Sequence, residues 1–263
     1  MSTDAVTPAD AAFLNNAQLD KVQQVVKNPH LNDSDIRKSI SKEIREMGQM
    51  LCTTEANFAH VYSFLKGLDN RVVLKDGKVV RFAPEWKKLG DEYAGLMNES
   101  RARANTLGIK IQELLNMLLP LMEKKATVGV KQAALTTYIE GLDNFTEEAA
   151  ANARQSLNLR EGVIQFERNL LEAVPTEVAN VQAEFKDIIE NNVVLGEEFS
   201  GISRFLVADV QALKTRLEVD ASANTESNKI YLRYIASMKA VYLTIHDAID
   251  EYALSSAPNE ISH

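Results

Sequence analysis

From Pro175 to Val219 the apolar residues recur at alternating steps of three and four: Val178, Val181, Phe185 and Ile188, then Leu195, Phe199, Ile202, Leu206, Leu213 and Leu217. A period near 3.5 keeps one narrow apolar stripe on one side of a helix. The spacing therefore predicts a single rod of about 45 residues, roughly 65 Å long at 1.5 Å per residue. Pro175 suits its first turn, and Glu177 lies near the positive end of the helix dipole. A rod of that length cannot cover its stripe alone, so helices of similar length must lie beside it.

The remaining pattern supplies them. A first helix is expected over 7–27, with Phe13, Leu14, Leu19, Val22 and Val26 on its apolar side and Pro29 as its stop. A second runs from Asn32–Ser34 to about Leu68 on Ile36, Ile40, Ile44, Met47, Leu51, Phe58, Tyr62 and Leu65. Pro84 opens a third, carrying Trp86, Leu89, Tyr93, Leu96, Met97, Leu107 and Ile111. A fourth, from Gly129 to about Leu171, shows Ala134, Leu135, Tyr138, Leu142, Phe145, Ala149, Ala153, Leu157, Ile164 and Leu171. After the organising rod and a polar connection at 220–227, a last helix bears Tyr231, Tyr234, Met238, Val241, Ile245, Ala248 and Tyr252, and the tail 255–263 is expected to fray.

Two stretches depart from this pattern. Over 71–82, Asp76-Gly77 lies between two short β-branched runs, which reads as a β-hairpin with a type I′ turn inserted between the second and third helices. In that register Val72, Leu74 and Val79 share a face, and Lys75 opposes Lys78 at the tip. The second stretch, Leu114 to Met122, is apolar nearly all round and contains Pro120, which should kink or end the helix. A helix apolar on every side is either buried or covered by a partner or bilayer. Val72, Leu74, Lys75, Lys78, Val79, Leu118, Leu119, Leu121 and Met122 are thus the candidate contacts for a membrane or a partner.

Composition fits one elongated all-α antiparallel bundle of five to six long helices spanning 1–263. Of 263 residues only 11 are Gly and 6 Pro, and 45% are hydrophobic. The net charge of −8, with scattered Lys and Arg, argues against nucleic acid as a partner. A single cysteine, Cys52, excludes an intramolecular disulfide and fits a reducing compartment. No basic, then apolar leader opens the sequence, so a cytoplasmic location is expected.

Chemistry is poorly represented. A dinuclear carboxylate centre in a bundle needs Glu-x-x-His pairs, but Asn57 and Leu243 precede His60 and His246 by three. His246 with Asp250, one turn apart, is the nearest substitute, and such pairs are ordinarily solvated. Cys52 lacks a local histidine, and no nucleophile elbow, phosphate loop or dinucleotide fingerprint occurs. The expected function is therefore a non-enzymatic interaction protein without cofactor or metal, binding a protein partner or a second copy through long amphipathic helices. At the level of architecture, long bundle helices with one small β or apolar element resemble the α-helical pore-forming toxins of the ClyA type. That resemblance implies membrane entry through 71–82 or 114–122, although Arg71, Lys75, Lys78 and Arg81 make this hairpin more cationic than an apolar tongue.

Overall fold

The computed structural model describes residues 34–69, 81–192, 198–221 and 225–255. These form α1 (Ser34–Asp69), α2 (Ala83–Glu113), a π-helical turn (Leu114–Leu118), α3 (Leu119–Glu123), α4 (Val128–Ala173), α5 (Pro175–Val178), α6 (Gln182–Asn192), α7 (Glu198–Ala221) and α8 (Thr225–Ser255). Among the described residues there is no strand. The first expected helix and the hairpin contacts Val72, Leu74, Lys75, Lys78 and Val79 lie outside the described residues. Phe82, expected to end the second strand, instead has φ −84° and ψ −35° and precedes α2 in helical geometry.

Among the described residues the long helices pack side by side. Tyr93 reaches the carbonyl of Leu51 and Trp86 that of Phe58, so α2 runs antiparallel to α1. Lys214 meets Thr136 and Gln132 meets Glu218, setting the same relation for α7 and α4. Two cores follow along the length. In one, α1, α2, α4 and α6 converge on Trp86, whose ring lies 4.9 Å from Phe58, 5.0 Å from Phe166 and 5.1 Å from Phe185. Such ring pairs add about 1 kcal/mol each beyond area burial. In the other, α8 packs on α2 and α7 around Asp209. Tyr242 donates to its Oδ2 at 2.7 Å, and Tyr234 donates to its backbone carbonyl at 3.2 Å.

The organising rod is not continuous. Val174 has φ −144° and ψ 63°, and the short α5 ends in a turn at 179–181. Asn180 donates both its backbone N–H and its side-chain amide to Glu177 O, at 3.2 and 3.1 Å, and Val181 N–H reaches Val178 O at 3.0 Å. An asparagine that bonds its own backbone competes with the helical ladder. The stripe survives the break: Val178, Val181, Phe185, Ile188, Phe199, Ile202, Leu206, Leu213 and Leu217 are all buried.

The fourth expected stripe needs a larger correction. Its early members, Leu135, Tyr138, Leu142 and Phe145, are buried, but Leu157 is 48% and Leu171 38% exposed. Ala149 and Ala153 lie outside the described side chains, and among those described beyond Phe145 the core is made by Leu159, Val163, Phe166 and Leu170. Stepping by four from Phe145 to Leu157 drifts about 120° around a 3.6-residue helix, which carries the stripe off the seam. The buried set keeps steps of three and four.

Candidate functional site

Pro120 organises the most distinctive local structure. A proline has no N–H for the carbonyl four residues earlier, here Asn116, and its ring crowds that carbonyl. The helix widens instead of ending: Leu119 N–H bonds to Leu114 O across five residues, giving the π-helical turn, and α3 continues to Glu123. The kink or stop expected at Pro120 is thus a widened turn, a form frequent at functional sites. The extra residue also rotates the apolar run. Leu114, Leu118, Leu119 and Met122 face the core, Leu121 is half-buried, and Met117 is 69% exposed.

Opposite this turn α4 presents small side chains at steps of three and four, Ala134, Thr137 and Gly141. The result is an open cleft of about 680 Å³ between the π turn with α3 on one side and α4 on the other. Met117, Leu118, Pro120 and Leu121 form its apolar wall, and Lys110, Glu113, Asn116 and Lys124 its polar rim. Tyr138 closes the inner end by donating to Lys110 O at 2.6 Å. Burial, and secondarily the Glu113 carboxylate, hold the Tyr138 phenol well above its ordinary range. It therefore stays a neutral donor. Lys110 pairs with Glu113 at 2.9 Å, so this rim presents a neutralised pair.

Of the sequence candidates within the described residues, Leu118 and Leu121 line the cleft, whereas Leu119 and Met122 are buried away from solvent. Sequence reading missed Met117, Tyr138 and the small-residue floor. Their signal was present as Ala134, Thr137 and Gly141 on one helix face, but pairing that face with the 114–122 run requires the register of α2 against α4.

The other candidates settle elsewhere. Asp69 accepts from Phe82 N–H at 2.7 Å and Ala83 N–H at 3.0 Å. It thereby caps α2 and joins the two ends of the 70–80 segment. Phe82 packs edge-on against Phe166, so those ends lie at the same end of the bundle as the Val174 turn. His246 is only 12% exposed and lies 3.4 Å from the Asp250 carboxylate, so its ring is not the solvated surface group expected from the spacing. His60 contacts Glu184 across α1 and α6 at 2.7 Å. Among the described residues no group of three or more His, Cys, Asp or Glu could hold a metal ion. Among them also, no helix is long and apolar enough to cross a membrane.

No family model, curated protein or solved structure matches this chain.

Proposed function

We propose that this chain is a non-enzymatic helical-bundle interaction protein that receives an apolar, helical segment of a partner protein in the cleft between the π turn and α4. The observation that carries the reading is the exposed Met117 beside half-buried Leu121, facing a floor of Ala134, Thr137 and Gly141. Amphipathic helices dock in apolar grooves through side chains one turn apart, and methionine adapts its shape to varied partners. The neutralised Lys110–Glu113 pair and the exposed Lys124 at the rim suit a helix with a mixed or mildly acidic polar face.

The test is titration of the isotope-labelled protein with a panel of amphipathic helical peptides, reading methyl shifts of the methionine and leucine side chains. Saturable shifts at Met117 and Leu121, abolished by Met117→Glu and by the cleft-filling Gly141→Leu, are the expected result. An added Cβ at Gly141 meets nothing closer than Lys110 Nζ at 3.7 Å, so that variant should fold. Shifts confined to other methionines would remove the cleft from the function. Co-flotation and dye release with neutral, anionic and sterol-containing vesicles form the second arm. Leakage lost on replacing Val72, Leu74 and Val79 with Asp would transfer the reading to the pore-forming alternative.

A further inference from the structure

Helix α4 carries two apolar seams, and among the described residues only one is covered. The buried seam runs through Leu159, Val163, Phe166 and Leu170. About 130° away around the helix, Leu157, Ile164 and Leu171 recur at intervals of seven. Leu157 is 48% and Leu171 38% exposed, with Ile164 half-buried between them. Seven-residue spacing keeps a seam straight along a supercoiled pair of helices, so the geometry is that of a helix awaiting a second one.

The charges beside the seam identify which helix that is. We propose that the second seam of α4 docks on the same seam of another copy of this chain, antiparallel, with the two-fold axis through Ile164. In this register residue numbers across the interface sum to about 328. Ile164 meets itself, and Leu157 meets Leu171 of the second copy. On one flank Glu161 comes opposite Arg168 of the second copy, and the two-fold repeats that pair. On the other flank Arg160 comes opposite Glu167, again twice. Four ion pairs thus arise from one helix docked on itself. A parallel pairing would bring Glu161 beside Glu161 and Arg168 beside Arg168. Within one chain Glu161 and Arg168 are seven residues apart, roughly 10 Å, too far to pair with each other.

Two further observations agree. Arg160 on the flank of the seam is half-buried, which limits the rotamer freedom its side chain would lose on pairing. The surface beside the seam is concave, a groove of about 500 Å³ between α4 and α6 lined by Glu167, Ala183 and Ile189, which gives the second helix lateral contact. An isologous interface of this type closes as a dimer and does not propagate. It also has a consequence for the cleft. Tyr138 is 26 positions from Ile164 on the same continuous helix, about 39 Å, so the two clefts of the dimer lie near opposite ends of a doubled rod, roughly 80 Å apart. Such a molecule can bridge two partner segments, or hold a dimeric partner with avidity.

Sedimentation velocity of the full chain over a concentration series tests the proposal. The wild type should associate to a dimer. Ile164→Asp should be monomeric with unchanged helicity. Because Ile164 is half-buried, the exposed pair supplies the decisive variants. Glu161→Arg alone and Arg168→Glu alone each place like charges across the axis and should weaken dimerisation about tenfold or more, whereas the double swap should restore it. In a Cys52→Ser background, Ile164→Cys should form a disulfide-linked dimer on mild oxidation, and Leu171→Cys should not. A chain that stays monomeric at millimolar concentration, a dimer indifferent to the charge swaps, or self-linkage of the Leu171→Cys variant would each overturn the proposal. None of these readouts depends on the cleft.

Discussion

At the scale of single residues, the bundle is tied by buried tyrosines and, among the described residues, one buried carboxylate. Tyr242 is fully buried against Asp209, and burial first, then the Asp209 charge, holds its phenol well above its ordinary range. Tyr234 is shifted in the same direction by burial and Asp209, with the Arg216 guanidinium 4.5 Å above its ring opposing the shift. A group whose folded-state pKa is raised holds its proton in the fold after the unfolded chain has lost it. Its stabilising contribution is complete below the unfolded tyrosine value of about 10 and is lost as pH rises beyond it. Thermal unfolding followed against pH should therefore show a steep fall in Tm above about pH 10. In Tyr242→Phe the fall should be shallower, from a lower starting stability, because Asp209 loses a donor inside the core. Equal slopes in the two proteins would remove Tyr242 from the alkaline transition. Asp69 acts at a distance from this network, accepting two backbone N–H groups at the start of α2. Asp69→Ala should cost about 1–2 kcal/mol in denaturant unfolding.

At the scale of elements, neighbouring residues on α4 discriminate between its two seams. Leu170 is completely buried and Leu171 is 38% exposed. Leu170→Ala should destabilise the monomer by about 2–5 kcal/mol through transfer and cavity terms, whereas Leu171→Ala should cost well under 1 kcal/mol. The reverse order in urea unfolding would return the core to the seam that includes Leu157 and Leu171. The π turn is testable in the same way. A widened turn contains one residue more than the α-helical path needs, so deleting exposed Asn116 should leave a continuous helix with far-UV circular dichroism unchanged. The deletion turns Met117 and Leu121 by about 100°, and peptide binding in the cleft should be lost.

At the scale of the whole molecule, length decides shape. Helix α4 alone, with 46 residues, extends about 70 Å, and α2, α6 and α7 pack along parts of it. A compact sphere of this chain length would have a radius of gyration of about 18 Å. Small-angle scattering of the monomeric Ile164→Asp variant should give a clearly larger value, with a distance distribution skewed toward long vectors. A value near that of the sphere would contradict the rod. The aromatic core around Trp86 and the tyrosine–Asp209 core lie at different positions along this rod, so indole fluorescence should report on the first only.

Amphipathic periodicity by itself determined that the chain is helical, where α1, α2, α4 and α8 begin and end to within a few residues, and which side of most of them is buried. These are local properties, since a 3.5-residue repeat and a proline at a first turn act within one helix. Local spacing also marked 114–122 as unusual, but not how it would resolve. Whether Pro120 would break the helix or widen it depended on the packing of Leu114, Leu118 and Leu119 on both sides of the turn. The choice between two apolar seams on α4 likewise required its neighbours, because both have helical spacing and only docking on α2, α6 and α7 selects one. The cleft is tertiary in the same sense: Met117 and Leu121 acquire a floor only when the antiparallel register brings Ala134, Thr137 and Gly141 opposite them. The interruption at 179–181 escaped the pattern because a tight turn stabilised by Asn180 can keep the buried side in phase while the helix stops.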